Sequence, residues 1–173
     1  MERTILMTIV FCCVVTAAMA ATGKAVIKGT AEGSPIAGEV VFVEENGGVK
    51  VQASVSNVPP GQHGFHLHEN ASCAEGGKAA GGHFNPDNVA HGYLPKDGSE
   101  HAHAGDMGNI DVNEQGNGTL VLFMPGLTLT DGRYAIAGRS VILHEKVDDY
   151  SQPTGNAGGR IGCGIIEIDQ PAQ

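Results

Sequence analysis

The chain has 173 residues and a formal net charge of −9, from 10 basic and 19 acidic residues, a balance that argues against nucleic acid as a partner. Glycine supplies 26 residues, tryptophan is absent and aromatic residues are scarce, which disfavours long helices. A chain of this length makes one ordinary domain with room for a hydrophobic core, so a multidomain machine is excluded.

Met1 to Ala20 reads as a cleavable export signal, with Arg3 in a short basic start, an apolar run from Ile5 to Val15, and Ala18-Met19-Ala20 at its end. That run is about half of the roughly 20 residues a helix needs to cross a bilayer, and no later segment approaches it. The expected mature protein, residues 21–173, is therefore soluble, with no membrane partner. Cys12 and Cys13 leave with the signal, so Cys73 and Cys163 remain as an even pair in an exported chain, for which a disulfide is the expectation.

After the signal the pattern is strand and turn. Lys24 to Thr30 opens the series, and Glu39 to Glu45 is expected to pair with Val49 to Ser56 through Asn46-Gly47-Gly48. Val49, Val51, Ala53 and Val55 alternate with polar residues, the period-two signature of a strand with one wet face. Further short apolar runs follow at Gly108 to Val112, Thr119 to Met124, Tyr134 to His144 and Gly162 to Ile168. With the segment around His66 and His68 this makes about eight strands, and an antiparallel sandwich or barrel is the expected architecture. No stretch beyond the signal shows a helical apolar period.

Two segments break the rhythm: Glu69 to Gly108, about 40 residues, and Glu145 to Arg160, about 16, and loops this long inside a compact domain carry function or are disordered. The first holds His83, His91, His101 and His103, four of the eight histidines, which favours function. In Gly64-Phe65-His66-Leu67-His68-Glu69 two imidazoles lie two residues apart, so on a strand they project from one face and can reach one metal. His83, His91, His103 and Asp106 then offer three imidazoles and a carboxylate, a set that suits tetrahedral zinc.

Five ordered motifs carry a specific resemblance. His63 to Glu69, Gly82-His83-Phe84-Asn85-Pro86, Gly105-Asp106-Met107-Gly108-Asn109, His144 to Asp149, and Gly155 to Gly164 together resemble copper/zinc superoxide dismutase, over nearly the whole mature chain. The resemblance implies an all-β, eight-stranded antiparallel Greek-key β-sandwich or barrel with two long functional loops. It implies one copper per chain on His66, His68, His83 and His144, and one zinc on His83, His91, His103 and Asp106, with His83 bridging the two. Asp148 matches a carboxylate that accepts hydrogen bonds from His66 and His91. Arg160 matches a guanidinium beside the open copper position, where a fixed cation can hold superoxide.

The implied activity is disproportionation of two superoxide anions to dioxygen and hydrogen peroxide by alternating reduction and re-oxidation of copper. Zinc is structural, and His83 serves as proton donor as well as ligand. Arg160 is expected to dock the anion, with Lys146 a secondary steering cation. A homodimer is a further expectation. The short loop after His144 and the export signal resemble exported bacterial members, which makes the periplasm the favoured address and secretion from a eukaryotic cell the second.

Competing readings of single residues are plain. His63 falls outside the implied ligand set and suits a hydrogen-bonding role, and His101 competes with His103, which is preferred because it stands three residues before Asp106. Asp111 to Gly116 begins like a calcium loop, but Leu122 stands where that loop needs an acid, so a hairpin turn is expected. Asn70-Ala71-Ser72 and Asn117-Gly118-Thr119 are glycosylation sequons by pattern. A copper-delivery protein of the same scaffold would lack a copper histidine or the arginine and add a Cys-x-Cys motif, whereas His144 and Arg160 are both present here.

Overall fold

A computed structural model describes residues 20–169. The expected signal thus lies outside the described residues except for Ala20. Eight strands follow in order: β1 (Thr22–Gly29), β2 (Ala37–Glu45), β3 (Gly48–Ser56), β4 (Gly61–His68), β5 (Asp106–Val112), β6 (Gly118–Pro125), β7 (Ser140–His144) and β8 (Arg160–Ile168). All pairings are antiparallel, and the strands close into a barrel in the order β1-β2-β3-β6-β5-β4-β7-β8. β3 borders β6 rather than β4, so the links β3–β4 and β6–β7 cross the barrel ends in Greek-key fashion. Among the described residues, closure leaves no free strand edge.

The alternation read from the sequence sets which side chains fill the interior. Val49, Val51, Ala53 and Val55 of β3 point inward with Val40 and Phe42 of β2, while Gln52 and Ser54 face water. Glu45 pairs with Gly48 across a two-residue turn in which Gly47 takes φ 79°. Gly48 is required for a different reason, since a Cβ there would stand 2.4 Å from the carbonyl oxygen of Met124. The calcium-like segment is the β5–β6 hairpin turn, where Asn113 Oδ1 accepts from the backbone N–H of Gln115 and of Asn117, each at 3.0 Å.

Two expectations need correction. Tyr134 to His144 is not one strand, because only Ser140–His144 joins the sheet. Gly138, at φ 71°, turns the chain, and Arg139 is drawn off to donate to Ala135 O and Glu69 O and to cover the Phe84 ring at 3.4 Å. The long segment after β4 also contains local helix that its apolar pattern did not signal, a 3₁₀ turn at Lys78–Ala80 and α1 at Leu94–Asp97.

β4 is buried from His63 to His68 on both faces. Phe65 and Leu67 enter the barrel core, so His66 and His68 project from its outer wall. The two long connections, residues 69–105 and 145–159, fold over that wall and bury them. Cys73 in the first connection is joined to Cys163 of β8, with Cα atoms 5.7 Å apart. Ser140 Oγ adds a second tie to the same loop by donating to Asn70 O at 2.6 Å. Because the bridge closes a separation of 90 residues, replacing both cysteines with serine should cost on the order of 4 kcal/mol. Urea unfolding of the two proteins checks this, and equal midpoints would contradict it.

Candidate metal centre

Two buried clusters of ligand-type side chains lie side by side on this wall and share one residue. His66, His68, His83 and His144 bring one nitrogen each to within 4.8 Å of one another, and one nitrogen each of His83, His91 and His103 meets a carboxylate oxygen of Asp106 within the same distance. The first group is built from adjacent strands: β4 supplies His66 and His68, and its neighbour β7 supplies His144. The second is built mainly by the loop, with Asp106 contributed by the first residue of β5 opposite His66. His83 joins them, its isolated bridge to His68 holding the loop against β4.

Hydrogen bonds fix which nitrogen of each ring remains available. His68 Nδ1 donates to Gly81 O at 3.0 Å and His144 Nδ1 to Gly158 O at 3.5 Å, so in both rings Nε2 is left with a lone pair, and those two atoms face each other at 3.4 Å. Asp148 accepts from His66 Nε2 at 2.8 Å and from His91 Nε2 at 3.0 Å, which turns both Nδ1 atoms inward. His66 Nδ1 and His91 Nδ1 are buried without a hydrogen bond, although the latter stands 2.8 Å from Asp106 Oδ2. Asp106 Oδ1 lies 2.9 Å from His83 Nδ1 and 3.1 Å from His103 Nδ1. With Nδ1 of His83 in the second cluster, its Nε2 serves the first. Orphaned lone pairs converging on two points, each ring oriented by its other nitrogen, are what metal cations satisfy. The residues therefore fit two metals, an all-imidazole site suited to copper and a three-imidazole, one-carboxylate site suited to zinc.

The sharing of Asp148 depends on a backbone device. Asn109 clamps it from β5, donating Nδ2 to Asp148 O at 2.9 Å and accepting from Asp148 N at 2.7 Å. Gly155 lies against the carboxylate at φ 72°, where a Cβ would fall 1.8 Å from Asp148 Oδ1. Neither role had a sequence signal beyond membership of the matched motifs.

His63 and His101 stand outside both clusters. His63 is buried with Nδ1 2.9 Å from His144 O and Nε2 2.8 Å from Pro59 O, a structural strap. His101 is exposed while His103 is buried in the second cluster. Arg160 opens β8 at the rim, its Nη1 donating to Gly77 O and its Nη2 to Gly81 O, both at 2.6 Å. Since Gly81 O also receives His68 Nδ1, one carbonyl ties the guanidinium to a ring of the first cluster. Lys146 is exposed on the second connection. Lys78, which sequence reasoning passed over, is exposed on the 3₁₀ turn that anchors Arg160.

The electrostatics of the metal-stripped site follow from burial. Burial, followed by repulsion from neighbouring imidazoles, pushes His68 down to about 2 and His144 down to about 3. Burial likewise pushes His83 down to about 4 against the opposing hydrogen bond to Asp106. Burial would lower His91 too, but hydrogen bonds to Asp106 and Asp148 and their charges outweigh it and raise the ring to about 9. Burial would raise both carboxyls, but hydrogen bonds from these histidines hold Asp106 and Asp148 well below the usual carboxylate range.

A sign for stability follows. Between pH 6.5 and 4 the unfolded chain takes up protons at His68, His83 and His144 that the folded chain refuses, so stability of the metal-stripped protein falls with pH. The limiting slope for three such groups is about 4 kcal/mol per pH unit. The raised His91 acts oppositely: its contribution is complete below the unfolded value of 6.5 and is lost as pH rises through about 9. Denaturant midpoints of the stripped protein should therefore peak near pH 6.5, and a flat profile from pH 4.5 to 9 would contradict this account.

Comparison with known proteins shows the family. The family described as copper/zinc superoxide dismutase matches residues 36–166. An extracellular superoxide dismutase [Cu-Zn] of Caenorhabditis elegans is 41% identical over 75% of this chain, which spans 60% of that relative's length. Proteins of the same name from Haemonchus contortus and Drosophila melanogaster are 40% and 38% identical, over 69% and 79% of this chain and 67% and 78% of their own lengths. Among solved structures, that of the clock protein EA4 superposes with a TM-score of 0.77 at 36% identity, covering 90% of this chain and 99% of its own. With a match that runs from just before β2 into β8 and takes in every cluster residue, the chain belongs to the copper/zinc superoxide dismutase family.

Proposed function

We propose that the chain disproportionates superoxide, converting two superoxide anions and two protons to dioxygen and hydrogen peroxide. In this reading His66, His68, His83 and His144 hold one copper, and His83, His91, His103 and Asp106 hold one zinc. The observation that carries it is the pair of buried clusters sharing His83. Copper held there would supply the one-electron couple that the reaction needs.

The chain's own residues do the rest. Arg160, fixed by Gly77 O and Gly81 O, keeps its remaining N–H groups for an incoming anion at the rim of the first cluster. His83 Nε2, facing that cluster, is the atom that holds and delivers a proton to the product, while its Nδ1 stays beside Asp106 in the second cluster. Asp148 orients His66 and His91 together, so the two sites are tuned as a unit. Lys146 and Lys78 add exposed positive charge on an otherwise acidic chain. The test is metal analysis of the purified protein combined with an assay of superoxide decay: copper and zinc near one each with rapid decay support the reading.

The reading includes cleavage after Ala20 and work outside the cell. Three animal relatives named extracellular favour secretion from a eukaryotic cell over the periplasm. It also includes a homodimer. The β1–β8 wall exposes Val26 in a groove of about 540 Å³ edged by Lys24 and Lys28 and by Glu167 and Asp169. Opposite charges on one patch can pair across a two-fold axis. Sedimentation of the mature protein as a single monomeric boundary would remove the dimer from the proposal.

A further inference from the structure

We infer that Asn117 is an N-glycosylation site and that the other sequon, at Asn70, is not used. The inference rests on the reading of the chain as secreted from a eukaryotic cell. Both sequons have a hydroxyl two residues on and no intervening proline, so pattern alone does not separate them. Their structural settings do.

Asn117 sits in the β5–β6 hairpin turn, just before β6 (Gly118–Pro125). Its backbone is occupied, with N–H donating to Asn113 Oδ1 and C=O accepting from Asn113 N, whereas its side chain is exposed and none of the hydrogen bonds among the described residues engages its Nδ2. Thr119, the sequon hydroxyl, is also exposed and begins the edge of a shallow groove with Ser54 and Ser56. β5 runs from Asp106 in the metal centre to Val112 beside this turn, so an attached glycan would stand about 20 Å from the catalytic wall at roughly 3.3 Å per residue. Such a group would leave the Arg160 rim open.

Asn70 is exposed too, but its side chain is engaged in the loop. Its Nδ2 donates to Ala79 O at 3.1 Å and lies so close to Gly81 that a Cβ there would be 2.8 Å away. Its backbone N–H and C=O engage Ala80 O and Ser140 Oγ. Gly81 O in turn holds Arg160 and His68. A sugar on Asn70 Nδ2 would crowd the bond that closes this loop and would press on the carbonyl that anchors Arg160. The next cysteine, Cys73, is tied into the disulfide three residues later.

The transfer balances simply. Asn117 Nδ2 attacks the anomeric carbon of a lipid-pyrophosphate-linked oligosaccharide. A C–N bond forms, the C–O bond to the pyrophosphate breaks, the lipid pyrophosphate leaves, and the amide nitrogen gives up one proton, with no change of oxidation state.

The full chain expressed in an animal secretory cell and recovered from the medium tests this. The wild type should migrate more slowly until peptide-N-glycosidase treatment, which should convert one asparagine, Asn117, to aspartate as read by peptide mass. Asn117→Gln and Thr119→Ala should both abolish the shift, while Thr119→Ser and Asn70→Gln should keep it. Superoxide-decay rate should be the same before and after glycan removal. Secreted wild type with no glycan, or a glycan on Asn70, would overturn the inference. Failure of the chain to leave the cell or to lose Met1 to Ala20 would instead overturn the secretion reading on which it rests.

Discussion

Arg160→Ile should slow superoxide decay by about 10- to 100-fold, the loss expected when a charge-assisted contact of about 1.5–3 kcal/mol is removed from the docked anion. Copper content should be unchanged, because none of the proposed copper nitrogens belongs to Arg160. Its two 2.6 Å hydrogen bonds to Gly77 and Gly81 carbonyls are made at the loop, and His68 keeps its own bond to Gly81 O when they are lost. Lys146→Ala should cost less than about fivefold, since an exposed cation contributes roughly 0.2–1 kcal/mol and is screened. The rate should fall modestly with added salt, because exposed charges are screened over about 10 Å at 0.1 M. Arg160→Lys should restore part of the rate, keeping the charge but not the fixed fork. Stopped-flow decay rates with metal analysis of each variant check the set. Equal losses for Arg160→Ile and Lys146→Ala, or a rate that rises with salt, would place steering elsewhere, with Lys78 the next residue to test.

The second large effect is expected at the shared histidine. His83→Ala removes a nitrogen from both clusters at once, so both metals should bind more weakly, by at least about 100-fold for the zinc side, where losing even an orienting partner costs 10- to 100-fold. Asp106→Ala should separate the two sites. Asp106 receives His83, His91 and His103 and two backbone N–H groups, from Gly92 and His103, so its loss dismantles the second cluster. The first cluster loses none of its four nitrogens and should keep part of its copper. Competition titrations of the stripped variants with zinc and copper measure this directly, without reference to activity. Full retention of both metals in His83→Ala would contradict the shared-ligand arrangement.

Much of this was legible in the sequence because it is carried by side-chain type at fixed intervals. The alternation of β3 and the His66–His68 spacing follow from the two-residue period of a strand, and the hairpin glycines from the positive φ of Gly47 and the close approach at Gly48. Of the candidate metal ligands, His66, His68, His83, Asp106 and His144 stand within the five ordered motifs, whereas His91 and His103 are offered by their intervals after His83, and the exposed position of His101 agrees with the choice of His103. What the sequence hid is mostly backbone. The hold of Gly77 and Gly81 on Arg160 uses backbone carbonyls that every residue carries, and the Asn109 side chain grips Asp148 by its backbone N–H and C=O rather than by its carboxylate. The strand expected from Tyr134 failed for a related reason. Before Ser140 only Ile136 is buried, with Tyr134, Ala135 and Ala137 half-buried, and it is packed by a turn rather than by sheet pairing.

The central claim is tested most directly by following superoxide decay in the purified mature protein as copper is restored to a zinc-loaded, copper-free sample. The account predicts a catalytic rate that rises in proportion to bound copper and saturates at one copper per chain. Saturation of the site with copper while decay stays at the rate of buffer alone would contradict it.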